Sequence, residues 1–148
     1  MFSQTAEYAL RAMSVLAARS PSLMTTEEIA DAARIPPAYL SKVLQALRKA
    51  GIVLSRRGIG GGVSLAEDSQ DVTILEIINS VDPIRRITEC PIGLSAHGVR
   101  LCPMHSRLDS ALAMVEEAFG DTTLAQLLAE QSGRGPVCKF PKLKTTTG

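Results

Sequence analysis

The sequence predicts a mainly α-helical fold with one small β-hairpin, in the order of a winged helix-turn-helix that is followed by a long helix. Three observations lead to this prediction. Apolar residues recur at three- and four-residue spacing in several segments. The tight connector Arg34-Ile35-Pro36-Pro37 joins two of these segments, and a glycine-rich turn follows the second of them. Hydrophobic residues make up 45% of the 148-residue chain, which is enough to bury a core.

The first three helices are predicted from apolar stripes and from capping residues. Residues 4–19 carry one apolar stripe. Thr25 and Glu28 have the spacing of a capping box, so a second, short helix is expected to start there. Pro37 suits the first position of a third helix, because proline lacks the amide hydrogen that this position leaves unused. Gly51 is expected to end that helix, since glycine favours the left-handed C-terminal position.

Positive charge is concentrated in the third helix and in the hairpin that follows it. Residues 52–55 and 63–65 are predicted strands around the turn 56–62. Between Asp31 and Glu67 there are six basic residues and no acidic one, whereas the rest of the chain has ten basic and 15 acidic residues. A cationic face of this kind favours a polyanionic partner, although a solvated basic surface has the same composition.

Three further helices are predicted after the hairpin. They cover residues 74–81, roughly residues 104–119, and residues 122–131. Thr73 and Glu76 have the spacing of a second capping box, so the first of these helices is expected to start there. Gly120 is expected to end the long second helix of this group. Residues 82–101 show no periodicity and contain prolines and glycines, so they are predicted to form a long loop.

The order of these elements predicts binding to double-stranded DNA, because an α-helix braced by a second helix fits the major groove. The candidate groove-facing residues lie on the polar side of the third helix and are Ala38, Tyr39, Ser41, Lys42, Gln45 and Arg48. Arg56 and Arg57 at the hairpin tip are expected to reach phosphates or the minor groove. Gly60 and Gly61 let the tip approach DNA without side-chain clashes. Tyr39 has two alternative roles, in the core or as a phosphate contact, and the glycines have an alternative role as a loose turn.

The sequence has no feature of a membrane-spanning or secreted protein. No apolar stretch reaches about 18 residues, and the N-terminus lacks the basic and apolar regions of a signal peptide. We therefore expect no membrane span and a cytoplasmic location. The chain has three cysteines, and this odd number argues against a disulfide framework. Free or metal-bound thiols are expected in a reducing compartment.

Four segments of the sequence form a pattern that a known family shares. They are Ala6–Ala12, Ile35–Leu40, Leu47–Val53 and Arg57–Leu65. Together they resemble the IscR/NsrR/CymR family of bacterial transcription repressors, over about residues 4–131. The resemblance implies a winged-helix homodimer whose long helix crosses its partner. It also implies a sequence-specific repressor of a pseudo-palindromic operator, with the helix and hairpin residues named above at the family's DNA-contacting positions.

The resemblance also implies a cofactor. Many members hold an iron–sulfur cluster through three cysteines in the loop before the long helix. The fourth ligand is either a nearby histidine or an acidic residue from the first helix of the partner. Cys90 and Cys102 match the first and third cysteines. His105 matches the histidine, and Glu7 matches the acidic ligand. The middle cysteine is missing, and His97 lies in its place.

Two hypotheses about regulation remain open from the sequence. Two thiolates and two imidazoles suit a [2Fe–2S] cluster of Rieske-like ligand type, or Zn²⁺. The protein is then a regulator that senses redox state, nitric oxide or iron through the 90–105 loop. Alternatively the site holds no cofactor, and a regulator of the same fold responds to a small molecule or a protein partner. An enzyme with a cysteine–histidine pair is disfavoured, because the loop lacks an orienting acid and no catalytic motif is present.

Three regions follow from this interpretation. Residues 1–66 are expected to form the winged helix-turn-helix DNA-binding domain. Residues 67–131 are expected to contain a linker, the effector or cluster loop and the dimerisation helices. Residues 132–148 hold four basic residues and no acidic one, and we expect a disordered tail there, in which Cys138 is not a ligand.

Overall fold

A computed structural model describes residues 2–66, 71–93 and 100–133. For residues 131–133 it describes the backbone only. These residues form six helices and one two-stranded antiparallel hairpin, which is the predicted fold class. In chain order the elements are α1 (Gln4–Arg19), α2 (Thr26–Ala33), α3 (Pro37–Lys49), β1 (Val53–Arg56), β2 (Gly62–Leu65), α4 (Ile74–Val81), α5 (Pro103–Gly120) and α6 (Leu124–Gly133). His97 and the expected tail beyond residue 133 lie outside the described residues.

The capping residues predicted from the sequence begin two of these helices. At α2 the Thr25 backbone amide donates to a Glu28 carboxylate oxygen at 2.8 Å, and the Glu28 amide donates to the Thr25 hydroxyl at 3.2 Å. Thr73 and Glu76 make the same reciprocal pair at α4. Each box satisfies two amides that a helix N-terminus leaves without partners, so both predictions are confirmed.

Helix α1 lies at the centre of the core and packs against α2, α3, α4 and α6. Ala9, Ala12 and Met13 on this helix are completely buried. The two alanines let neighbouring helices approach closely, and the methionine fills the space between them. Large buried side chains from the surrounding elements complete the core: Ile29, Leu40, Leu47, Ile77 and Leu124.

The hairpin is attached to the segment between α1 and α2. Met24 pairs with Val63, whose amide donates to the Met24 carbonyl at 2.7 Å. A Cβ atom at Gly62 would lie 2.6 Å from that carbonyl oxygen, so the close approach requires glycine. The first strand starts one residue later than predicted, at Val53. The reason is that the Ile52 amide bonds to the Leu47 carbonyl and closes the end of α3.

The boundary between α5 and α6 differs from the prediction. Gly120 lies inside α5, and Asp121 is the C-terminal cap. The last helix starts at Leu124 rather than at residue 122, because the backbone around Thr123 pairs with the backbone around Thr73. The Leu124 amide donates to the Val72 carbonyl at 2.9 Å as part of this pairing. Helix α6 also extends to residue 133, two residues beyond its predicted end.

The long helix α5 buries little within one chain. His105 is its only buried residue. The apolar residues that recur along the helix are partly or largely exposed: Leu108, Leu112, Val115 and Phe119. Leu108 is 51% exposed and Met114 is 70% exposed. None of the helices in the described ranges is long and apolar enough to cross a membrane.

Candidate DNA-binding surface and cysteine–histidine site

The residues predicted to face the major groove all lie on the exposed side of α3. Ala38, Tyr39, Ser41, Lys42, Gln45 and Arg48 are exposed. The opposite side is formed by Leu40, Val43, Leu44 and Leu47, all of them buried in the core. The 3.6-residue period of the helix thus separates the apolar stripe that anchors α3 from a polar stripe that is open to a partner.

Four cations lie on this surface and on the adjacent hairpin. Lys42 and Arg48 are on α3, Arg56 ends β1, and Arg57 follows it in the turn; all are exposed. No acidic residue of ranges 2–66, 71–93 and 100–133 forms an ion pair with any of the four. Their charges therefore remain available for phosphate oxygens, within the part of the chain that is described.

A cleft of about 300 Å³ separates α3 from the hairpin. Ser41, Gln45 and Arg48 line it from α3, and Ser55 lines it from β1. The hairpin therefore lies beside the polar stripe of α3. This is the arrangement in which a wing accompanies a helix that enters the major groove.

The hairpin tip is shaped by glycines and carries one apolar side chain. A Cβ atom at Gly61 would lie 2.2 Å from the Arg56 carbonyl oxygen, so the turn itself requires this glycine. Gly60 adopts a left-handed φ of 74°. Ile59 is fully exposed at the tip. The turn explains both glycines, and their predicted contact with DNA stays a prediction.

An arginine on α1 holds the turn that precedes α3. One Arg11 terminal nitrogen donates to the carbonyl oxygens of Ala33 and Arg34, at 3.2 Å each. The Arg11 guanidinium also lies 5.2 Å from the centre of the Tyr8 ring, and that ring lies 6.0 Å from the Tyr39 ring. Helix α1 thus positions the start of α3. Neither Arg11 nor Tyr8 was predicted to have this role, and the signal for it in the sequence is limited to the four-residue spacing of Glu7 and Arg11.

Cys90, Cys102 and His105 form the second candidate site. Cys102 is the N-cap of α5, and His105 lies one turn into the helix, with 8% of its surface exposed. The His105 Nδ1 atom lies 3.1 Å from the Cys102 sulfur and 3.7 Å from the Cys90 sulfur. The three potential ligand atoms lie within 4.8 Å of one another. The fold therefore brings together three residues that the resemblance singled out.

The donor set of this site fits a metal centre. Ligand atoms around a tetrahedral zinc or iron ion lie about 3.5–3.8 Å apart, given metal–sulfur bonds of about 2.3 Å and metal–nitrogen bonds of about 2.0 Å. The distance from His105 Nδ1 to the Cys90 sulfur, 3.7 Å, lies in this range, and the distance to the Cys102 sulfur, 3.1 Å, is shorter. Two thiols with one imidazole are donors that both metals accept. Glu7 is not part of this group. Its side chain is 63% exposed and forms an ion pair with Arg11 at 2.8 Å.

A charged network lies beside the cysteine–histidine site. Arg86 donates to both carboxylate oxygens of Asp109, at 2.7 and 2.6 Å, and to Glu116 at 3.2 Å. Hydrogen bonds from Arg86 and from the Ile87 amide lower the pKa of Asp109 to about 2. The hydrogen bonds to Asp109 and to Glu116 raise the pKa of Arg86. This network was not predicted, since nothing in the sequence marks two residues 23 positions apart as partners.

Comparisons with known proteins agree with this architecture. The model of the Rrf2 family, described as an iron-dependent transcriptional regulator, matches residues 2–130. The transcriptional regulator IscR of Vibrio atlanticus is 30% identical over 124 residues, which cover 83% of this chain and 72% of that protein. The solved structure of T. potens IscR is similar with a TM-score of 0.72 and 25% identity, over 88% of this chain and 87% of the other.

A second solved structure is equally similar. CymR, the global cysteine regulator of B. subtilis, has a TM-score of 0.72 and 25% identity, over 88% of this chain and 97% of the other. These relatives confirm the resemblance derived from the sequence and the prediction of a regulator rather than an enzyme. The chain therefore belongs to the Rrf2 family and is a transcription regulator.

Proposed function

We propose that this chain is a sequence-specific transcription repressor that binds its operator as a homodimer and senses redox state, nitric oxide or iron at the cysteine–histidine site. One observation carries the DNA-binding part of the proposal. The polar stripe of α3 is exposed beside the hairpin, and its cations have no acidic partners among the described residues.

The proposed contacts divide into base readers and phosphate contacts. Gln45 suits the donor and acceptor pair of adenine, and Lys42 suits the acceptors of guanine. Arg56 and Arg57 contact phosphates or the minor groove from the hairpin. Gly60 and Gly61 bring the hairpin backbone close to DNA.

The proposed homodimer is supported by the exposure of α5. Met104, Leu108 and Met114 are each more than half exposed on this helix, and removing apolar side chains from water is favourable. A second copy of α5 would cover part of this apolar surface. Two α3 helices related by a two-fold axis would then read a pseudo-palindromic operator, with half-sites about 10 base pairs or a multiple of this apart.

The proposed sensor uses Cys90, Cys102 and His105 as ligands. A [2Fe–2S] cluster bound there supplies a one-electron redox couple, whereas Zn²⁺ supplies only structural stabilisation. His97, or Glu7 from a second copy of the chain, is proposed as the further ligand. The site communicates with the DNA-binding surface through α4, which packs against both α5 and α1. Arg11 then connects α1 to the turn before α3.

Two experiments test the proposal. Sheared genomic DNA is incubated with the purified protein, the retained fragments are sequenced, and affinity for the enriched site is measured by fluorescence anisotropy at fixed salt. Transcription from that site in vitro should fall when the protein is added. Failure to enrich any sequence would contradict the proposal.

The sensor is tested by anaerobic purification. We expect the wild type to absorb visible light and to contain iron and acid-labile sulfide in matching amounts. Cys90→Ala and Cys102→Ala should abolish this absorbance. A colourless protein that contains zinc would mean that the site holds zinc rather than a cluster. A metal-free protein that stays colourless after reconstitution, and whose DNA affinity ignores iron, oxygen and nitric oxide, would favour the regulator that responds to a small molecule or protein partner.

A further inference from the structure

Cys90 is held in place although its segment has no regular structure. Residues 82–93 contain neither helix nor strand, and yet the Cys90 sulfur lies 3.7 Å from His105 Nδ1 on α5. An irregular segment loses much conformational entropy when it is fixed in one place. Specific contacts must therefore attach this segment to the rest of the fold.

Two backbone amides attach the segment to helices. The Ile84 amide donates to the Asn79 side-chain oxygen on α4 at 3.0 Å. The Ile87 amide donates to an Asp109 carboxylate oxygen on α5 at 2.9 Å. The second attachment lies three residues before Cys90 and is therefore the nearer of the two to the sulfur.

The carboxylate that accepts from Ile87 is itself fixed. Arg86 binds both of its oxygens in the two-pronged geometry that gives the strongest arginine–carboxylate pairs. Glu116 lies two turns beyond Asp109 on the same helix and accepts a further hydrogen bond from Arg86. The Asp109 side chain is 17% exposed and the Arg86 side chain is 41% exposed, so the pair is only partly shielded from water.

We propose that Asp109 and Arg86 are positioning residues that hold the Cys90 sulfur at the metal site. Asp109 lies one helical turn after His105, so a single rigid helix presents both the imidazole and the anchor of the Cys90 segment. The two side chains bond to each other, and Asp109 also accepts from the Ile87 amide. The proposal rests on the proposed function in one respect, which is that the cysteine–histidine site binds a metal.

Metal affinity should depend on this attachment. Ligands that are already in place when the ion arrives need no further ordering. Loss of a residue that orients a ligand without binding the metal typically lowers the metal affinity 10- to 100-fold. The loss acts on affinity and leaves the ligand atoms unchanged. This separates a positioning residue from a ligand.

The first measurement uses Co²⁺ as a probe, bound to the metal-free full chain carrying Cys138→Ser and titrated against a chelator. Asp109→Asn should weaken Co²⁺ binding about 10-fold or more and leave the absorption bands of the bound ion in place. Arg86→Lys keeps the charge but loses the two-pronged bond, and should act in the same direction. Glu117→Gln is the matched control, since it removes one negative charge at an exposed position of the same helix and should stay within about twofold.

The second measurement needs no metal. In a glutathione redox buffer two thiols become one disulfide as one glutathione disulfide becomes two glutathione molecules, and the yield of the Cys90–Cys102 bond reports how closely the sulfurs are held. Asp109→Asn should lower that equilibrium yield relative to the wild type and to Glu117→Gln. Circular dichroism checks the fold, and Arg86→Lys replaces Asp109→Asn if the latter unfolds.

The outcomes are distinct. Weaker Co²⁺ binding together with a lower disulfide yield supports the proposal. A variant within twofold of the wild type in both measurements overturns it, and so does weaker Co²⁺ binding with an unchanged disulfide yield, which would point to a direct electrostatic effect on the ion. If the wild type binds neither Co²⁺ nor a cluster but the disulfide yield still falls, the positioning role stands and the proposed metal sensor fails.

Discussion

The Arg11 guanidinium on α1 donates a 3.2 Å hydrogen bond to the carbonyl of Ala33, the last residue of α2. The carbonyls at a helix C-terminus lack partners within the helix, and a cation is favoured there. The next residue, Arg34, has a left-handed φ of 52°, and its carbonyl also accepts from Arg11. One side chain of the central helix therefore fixes the turn on which the direction of α3 depends.

Arg11→Gln should lower the free energy of unfolding by about 1–2 kcal/mol, because the two carbonyls lose a charged donor. It should also weaken operator binding, since the start of α3 is less well fixed. Urea denaturation measures the first effect and anisotropy the second. In metal-free protein Glu7→Gln is the matched control, because there it removes only the exposed ion pair with Arg11 and should cost less than about 0.5 kcal/mol. Equal effects of the two substitutions would contradict the role given to Arg11.

Arg57→Ala should reduce operator affinity about fivefold or more, since a lost phosphate or groove contact costs about 1 kcal/mol or more. A phosphate contact also releases counterions, so the slope of log affinity against log salt should fall by about one. Anisotropy titrations at several salt concentrations give both values. Arg85→Ala removes one exposed charge outside the winged-helix region and should leave affinity and slope unchanged. If the affinity of Arg57→Ala stayed within about twofold of the wild-type value, the hairpin tip would not contact the operator as proposed.

Gly62→Ala should destabilise the protein by more than about 2 kcal/mol, because the new Cβ atom would lie 2.6 Å from the Met24 carbonyl oxygen. Gly58→Ala is the comparison. Gly58 has a left-handed φ of 99° but no atom within 4 Å of its added Cβ, so only the backbone strain of about 1 kcal/mol applies. Thermal or urea unfolding should rank the two variants in this order. The reverse order would mean that the hairpin is not attached at Met24.

The Asp109 carboxylate predicts a specific dependence of stability on pH. Its pKa falls from its ordinary value of 3.8 to about 2 in the folded protein. A lowered pKa contributes stability above the ordinary value and loses it as the pH falls toward the folded value. In metal-free protein the gap in urea midpoint between the wild type and Asp109→Asn should therefore be constant from about pH 7 to pH 5 and shrink between about pH 4 and pH 2. A gap that closed near pH 6 would indicate a different titrating group.

The fold could be predicted from the sequence because its signals are local. Thr25 with Glu28 and Thr73 with Glu76 mark helix starts by spacing alone, and the polar stripe of α3 follows from helical periodicity. The error at the start of the last helix, Leu124, arose where residues far apart in the chain pair through their backbones. Long-range pairing leaves no periodic signal in the sequence.

The candidate sites were predicted in part. Cys90, Cys102 and His105 were identified through the family resemblance, and the fold places them together. Arg11 and the Arg86–Asp109 pair were missed, because each makes contacts to residues that are more than 20 positions away. Ordinary arginines and aspartates gain such roles only from tertiary structure.

The most direct test of the account is the sequence preference of α3 itself. Anisotropy is measured with the enriched operator and with a scrambled duplex of equal length, for the wild type and for Gln45→Ala. The account predicts at least about 1,000-fold preference for the operator in the wild type. It predicts that Gln45→Ala reduces this preference about 10-fold, with little change in affinity for the scrambled duplex, because a base contact carries specificity. An unchanged preference in Gln45→Ala would contradict the assignment of α3 as the helix that reads DNA.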